Sequence, residues 1–235
     1  MENSIIYFNG RPDGIGNRIE QLIYIQQYCK ENNLQCIYIW NNSYFRNYKC
    51  LISFENITIK DKITEKEKKY LTNDCFLRTP EYIVKYNFLF TIPSPPVYDV
   101  IIHIRGTDRL NPSIKHHDFS NVTELNNIME KTINYLNNEK TITTYTVVTD
   151  DKQYINYMKN KIQKEYIELS YNHDIHNDWI DFYYLTQPKK FILMCCRFSS
   201  YSITASILGN KEIRIFKESI DSALPRYKSN IKIIS

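Results

Sequence analysis

Glycine is scarce in this chain, with five in 235 residues. A chain so poor in it keeps glycine where the backbone needs one, so each is informative. Long apolar runs are missing: none reaches the roughly 18 residues of a membrane span, so none is expected. The opening MENSIIYFNG has no basic n-region and no apolar h-region, so no secretory signal is expected. The six cysteines, Cys29, Cys36, Cys50, Cys75, Cys195 and Cys196, form no C-x-x-C pair. Cys195 and Cys196, in an apolar run, read as buried free thiols, and the expected location is the cytoplasm. No D-x-D motif occurs, and His173 and His176 do not extend to a His/Cys/Glu cluster, so neither a metal nor a cofactor is expected. Charge of one sign is lacking too. Thirty basic against 26 acidic residues give +4, too mild to argue for a nucleic-acid partner.

What remains describes a globular chain. It is 43% hydrophobic and 24% charged, with 20 Tyr and 11 Phe, enough to bury a core. SIIYF (4–8), the polar turn NGRPDGIGN, an apolar helical stripe through Ile19, Leu22 and Ile23, and CIYIW (36–40) make one βαβ unit. Residues 41–92 carry no clear pattern, and KDKITEKEKKYL reads as a solvated helix or loop. FLFTIPSPPVYD, with Pro93, Pro95 and Pro96, is expected to link two domains, 1–95 and 96–235. Beyond it the pattern is regular. YDVIIHIR, YTVVT, YIELS, KFILMCC and EIRIF are predicted strands. The stripe from Val122 to Leu136, then Ile155–Ile162, DWIDFYYLTQ and SYSITASIL (closed by Gly209) are predicted helices. Five strands alternating with four helices predict an α/β fold with a doubly wound parallel sheet. In such sheets ligands sit at the carboxyl ends of the strands.

Four motifs fall at such ends or at a helix start. VIIHIRGTDRL (100–110) closes a buried strand on His103, Arg105 and Arg109. Arg105 offers a planar fork of donors to a phosphate, or at its plainest an ion pair with Asp108 at a turn. VVTDD ends on Asp150, a carboxylate that could accept from a ribose or base, and on Asp151, placed to cap the next helix. RFSSYS puts Ser199, Ser200 and Tyr201 at a helix start, either as an anion site or as an ordinary serine cap. DGIGNR holds Gly14 and Gly16 but has Ile19 where a dinucleotide fingerprint needs its third glycine. Asp13 there is a carboxylate at the loop's entrance, or simply a turn residue in Pro-Asp-Gly.

The order of these motifs, GIGNR, HIRGTDR, VVTDD, then DFYYLTQPKKFILMCCRFSS, resembles the GDP-fucose-dependent fucosyltransferases of the α1,6, α1,2 and protein-O class. The resemblance runs over most of 10–210 and is weakest over 41–96. It implies a GT-B architecture: two Rossmann-like domains facing across a cleft, an N-terminal acceptor-side domain and a C-terminal nucleotide-sugar domain. It implies inverting, metal-independent transfer of L-fucose from GDP-fucose to a glycan or protein hydroxyl. By the same resemblance Arg105 meets the β-phosphate, and His103, Asp150 and Asp181 lie near the nucleotide. Ser199 and Ser200 bind phosphate, with Tyr201 beside them. Gly14, Gly16, Asn17 and Arg18 form the loop that meets donor and acceptor. Asp13 is the candidate base. The family's second arginine is Gly106 here, which leaves phosphate neutralisation to Arg105 and Arg109. That loss keeps a non-catalytic nucleotide-sugar-binding protein open beside a transferase using another nucleotide sugar. An RNA-binding module fits less well, because the tyrosines are interleaved with core periodicity.

Overall fold

The computed structural model describes residues 5–11, 13–40, 49–62, 64–68, 71–72, 84–105, 122–196, 199–219 and 231–235. The chain divides into two compact units, Met1–Ile92 and Pro93–Ser235.

The first unit opens with β1 (Ile5–Asn9), α1 (Ile15–Asn32) and β2 (Gln35–Ile39), with β1 and β2 parallel. β3 (Ile52–Phe54) and β4 (Ile57–Lys60) follow, antiparallel to each other. Their two-residue turn, Glu55–Asn56, has Asn56 at φ 64°, a left-handed value that asparagine tolerates. A four-residue helix α2 (Glu65–Lys68), β5 (Leu71–Thr72) and β6 (Tyr86–Phe88) complete it. The sheet order is β5-β1-β2-β4-β3-β6. The charged segment predicted as helix or loop across 60–71 is thus a strand end, a single helical turn and another strand. The Gln26 amide of α1 ties in the β3–β6 edge. It donates to Lys85 O at 2.6 Å and accepts from Lys85 N–H at 3.0 Å.

The second unit is a single parallel sheet. Its strands are β7 (Val100–Ile104), β8 (Thr144–Thr149), β9 (Glu165–Tyr166), β10 (Phe191–Met194), β11 (Glu212–Phe216) and β12 (Ile231–Ile234). Its helices are α3 (Val122–Asn138), α4 (Gln153–Lys161), α5 (Asn177–Leu185) and α6 (Ser200–Gly209). The order is β12-β11-β10-β7-β8-β9. The chain winds outward one way from β7, then returns to its other side at β10 and winds the opposite way. All five predicted strands are present, although YIELS shrinks to the two residues of β9 and starts one residue earlier. β12 adds an edge strand that the sequence pattern did not announce.

One face of this sheet is sealed by α3 and α4, through Val100, Ile102, Ile104, Leu125, Met129, Leu136, Met158 and Leu193. Full burial of each such side chain contributes about 1.5–3 kcal/mol. On the other face α5 and α6 pack together. The start of β7 is fastened by Asp99. Its carboxylate accepts from Thr143 N–H (2.8 Å) and the Thr143 hydroxyl (2.9 Å). Burial works against the charge there, but these hydrogen bonds and the nearby Lys190 outweigh it and hold the carboxyl below its usual range.

Candidate functional site

β7 is buried along its whole length. Four of its residues are Val or Ile, and the fifth is His103, 6% exposed. A buried imidazole must be hydrogen-bonded to persist in such a strand. Its Nδ1 meets the Ser202 hydroxyl on α6, 99 residues further along the chain. Its ring lies 5.7 Å from that of Tyr201 at a 38° tilt. Tyr201 is itself fixed twice. Its hydroxyl donates to the Asp178 carbonyl of α5, and its ring packs edge-on against Phe182 at 5.1 Å.

The parallel register sets where these groups lie. His103 pairs with Met194 of β10, and Cys195 N–H extends the ladder to His103 O at 2.9 Å. Past these positions β7 gives way to Arg105, half-buried, and α6 is the next element after β10. β7 and β10 are the two strands between which the winding reverses. The start of α6 therefore stands beside the end of β7, at the switch point where doubly wound sheets bind ligands.

Ser199, fully buried, caps α6. Its hydroxyl accepts from Ser202 N–H at 3.5 Å, with φ −144°. The plainer of the two serine readings thus describes its side chain. Ser200, also buried, lends its carbonyl to the Thr204 hydroxyl (2.6 Å). The first intrahelical bond runs from Ile203 N–H to Ser199 O (3.1 Å). The N–H groups of Ser200 and Tyr201 thus precede the helical ladder, at the positive end of the helix dipole.

The two flanking carboxylates differ. Asp150 is exposed at the end of β8, the strand on the other side of β7. Asp151 takes the capping role: its carboxylate accepts from Gln153 N–H (3.0 Å) and the Gln153 amide (2.6 Å). Asp181, on α5 one turn beyond Asp178, accepts from the Tyr171 hydroxyl at 2.6 Å. Burial pushes its carboxyl up to about 7, with the Asp178 charge adding to the rise and the Tyr171 bond opposing it.

In the first unit the helix begins at Ile15. Gly16, Asn17 and Arg18, assigned to a loop by the sequence reading, therefore form its first turn. Gly14 is the N-cap and provides no side-chain hydrogen bond. Arg18 is only 1% exposed. Its Nε donates to Asp13 O at 2.7 Å, and its guanidinium lies 4.7 Å above the buried Trp40 ring. Asp13 Oδ2 pairs with Arg11 Nε (3.0 Å) and accepts from the Asn17 amide (3.3 Å).

The structure thus brings His103, Arg105, Ser199, Ser200 and Tyr201 to one switch point, with Asp181 on the adjoining helix. It gathers Asp13, Gly14, Gly16, Asn17 and Arg18 at the start of α1. Arg109 lies outside the described residues, as does Gly106. Sequence reasoning missed Ser202, Tyr171, Asp178 and Trp40. Only Ser202 carried a signal, three residues after Ser199 and hence over the same helical turn.

No family model matches the chain, and no curated protein is similar to it in sequence. Among solved structures, the chain is similar to NodZ α1,6-fucosyltransferase, in crystals soaked with GDP-fucose. The TM-score is 0.56 at 10% identity, over 94% of this chain and 97% of that one. At that identity the likeness is one of fold: this chain has a fucosyltransferase-like α/β fold.

Proposed function

We propose that the protein is an inverting glycosyltransferase that moves L-fucose from GDP-fucose to a glycan or protein hydroxyl. The observation that carries this reading is the switch point of the second unit. An arginine, a histidine and a helix N-terminus meet there at the carboxyl ends of β7 and β10. A diphosphate is the ligand class such a constellation favours. The fold likeness to a fucosyltransferase supports the sugar-nucleotide reading, and the order of the sequence motifs supports GDP-fucose within it.

In this reading the second unit binds the donor, the first receives the acceptor, and the two act across a GT-B cleft. The leaving GDP is stabilised by Arg105 and the first N–H groups of α6 rather than by a divalent ion. Gly14, Gly16, Asn17 and Arg18 shape the acceptor side. Asp13 takes the proton of the acceptor hydroxyl. Its Oδ1 is the atom for that role, because Oδ2 is engaged by Arg11 and Asn17.

Calorimetry with GDP in EDTA tests the donor site. Binding is expected for wild type. Arg105→Ala should weaken it, and should slow GDP-fucose turnover about a hundredfold, the effect of losing about 3 kcal/mol of transition-state stabilisation. Arg105→Lys should be poor as well, since an ammonium lacks the fork. Asp13→Asn should slow turnover by about 10²–10⁴-fold while GDP affinity holds. Binding that requires Mn²⁺, or prefers UDP, overturns this reading in favour of another nucleotide sugar. GDP-fucose binding without hydrolysis or transfer identifies a non-catalytic binding protein.

A further inference from the structure

We propose that a cavity along α3 is a second binding site, one that takes a neutral saccharide. Lys131, Asn134, Tyr135, Asn138, Glu139 and Ser235 line it. None of them belongs to the switch point, so the inference stands apart from the nucleotide reading. α3 covers one face of the second sheet, whereas α6 packs on the other.

The lining comes mainly from one stripe of the helix. Lys131, Asn134, Tyr135 and Asn138 stand at i, i+3, i+4 and i+7 and so share a face. Tyr135 anchors that face. Its hydroxyl accepts from Arg214 Nη1 of β11. Its ring packs edge-on against Phe191 and Phe216, with centroids at 6.4 and 6.3 Å. The aromatic surface at the cavity is thus fixed before any ligand arrives, which lowers the ordering cost of binding. The volume, about 400 Å³, lies within the roughly 300–1,000 Å³ of small-molecule pockets and suits a mono- or disaccharide.

The chemistry of the lining selects the ligand. Asn137, on a different face, is spent on the fold. Its amide donates to Lys161 O at 3.1 Å and accepts from Gln163 N–H at 2.7 Å. Asn134 and Asn138 line the cavity and make no hydrogen bond among the described residues. Each primary amide sets donors beside an acceptor, the match for two hydroxyls on neighbouring carbons, one accepting and one donating. Glu139 adds an acceptor. Hydrogen bonds from Thr141 hold its carboxyl below the usual range. Both fall on Oε1 and leave Oε2 to a ligand hydroxyl. Donors alone would favour a phosphate, and carboxylates alone a cation. Here Lys131 is paired with Glu218, and Glu139 brings the opposite sign. A neutral ligand rich in hydroxyls satisfies both kinds of group without burying an unpaired charge. The half-buried Tyr135 offers aromatic surface to its C–H groups.

The test is a titration of the ¹⁵N-labelled full chain, followed through its amide signals. The probes are lactose, maltose and diacetylchitobiose, neutral disaccharides that differ in hydroxyl geometry, with anionic sialyllactose as the contrast. At least one neutral probe should shift the amides of residues 131–139, with millimolar affinity that changes little between low and high salt. Combining Asn134→Ala with Asn138→Ala places strong helix formers on the face that carries the amides, so the fold is kept. That double variant should weaken saccharide binding about tenfold, the loss of two amide contacts, and leave the response to GDP as in wild type. No shift at these residues with any neutral probe overturns the inference. So does a double variant that binds as well as wild type, or a site that prefers sialyllactose. A chain that shows the saccharide shifts but binds no GDP removes the nucleotide reading and leaves this one standing.

Discussion

Asp181 shows how far one residue's surroundings can move its chemistry. An aspartate in water ionises near 3.9, yet burial beside Asp178 pushes this one up to about 7. The folded state therefore favours the protonated form, and the sign of the linkage follows. The carboxyl's contribution to stability is complete below about pH 4 and is lost as pH rises through about 7. Asp181→Asn keeps an oxygen for the Tyr171 hydroxyl and never ionises. Its melting temperature relative to wild type should therefore rise between about pH 4 and pH 8. The gain corresponds to about 1–3 kcal/mol after solvent screening of this half-buried group. A difference that stays flat with pH would show that the carboxyl ionises normally. Asp181 could be picked out in the sequence because DFYYLTQPKKFILM places it in a recognisable segment. Its shift could not, because Tyr171 lies ten residues upstream in a loop with no pattern of its own. His103 is similar. Its place at a strand end was legible, but its bond to Ser202 spans 99 residues and exists only once β7 and β10 are neighbours.

Among the elements, those with strong periodicity were read well and their ends less so. α6 was expected to close on Gly209, but Gly209 is its last helical residue. The left-handed stop belongs to Asn210, at φ 49°, as it belongs to Asn33 for α1, at φ 51°. Both helices use asparagine for the C-terminal turn that glycine commonly makes. Gly209 is needed for a different reason. A Cβ there would come within 2.4 Å of Thr186 O, at the end of α5. That oxygen is backbone and has nowhere to go. Gly209→Ala should therefore part the ends of α5 and α6 at a cost of about 1–3 kcal/mol, or roughly 2–10 °C in melting temperature. Gly14→Ala is the matched contrast. An added Cβ meets nothing within 4 Å, and φ is −65°, so its cost should be under about 1 kcal/mol, that of a poorer N-cap. If the two variants melt together, close helix approach is not what keeps glycine at 209. β12 and the β3–β4 turn escaped the sequence reading because strands of three or four residues carry too little alternation to be told from loop.

For the whole molecule, the reading that reached furthest was the alternation of strands and helices in the second unit, because periods of 2 and 3.6 survive without knowledge of any contact. It gave a doubly wound sheet but not the strand order, since alternation alone does not say where the winding reverses. That reversal, between β7 and β10, brings the end of β7 and the start of α6, far apart in the sequence, to one place in the second unit. It also sets the switch point against a second place a ligand could occupy. An open cavity of about 400 Å³ lies along α3, lined by Lys131, Asn134, Tyr135, Asn138, Glu139 and Ser235. Its lining mixes cation, anion and amide, and its Lys131 is paired with Glu218, so it has no positive field for a diphosphate. Hydrogen exchange across the whole chain separates the two. GDP at about 100 times its dissociation constant adds roughly 2.7 kcal/mol to global stability, which slows every amide that exchanges by global unfolding. Amides that exchange by local opening respond only near the ligand. The added local protection should therefore concentrate at the end of β7, residues 103–105, and at the first turn of α6, residues 199–203. Protection centred on residues 131–139 of α3 would instead place the nucleotide in the α3 cavity, and Arg105 would then have no part in binding it.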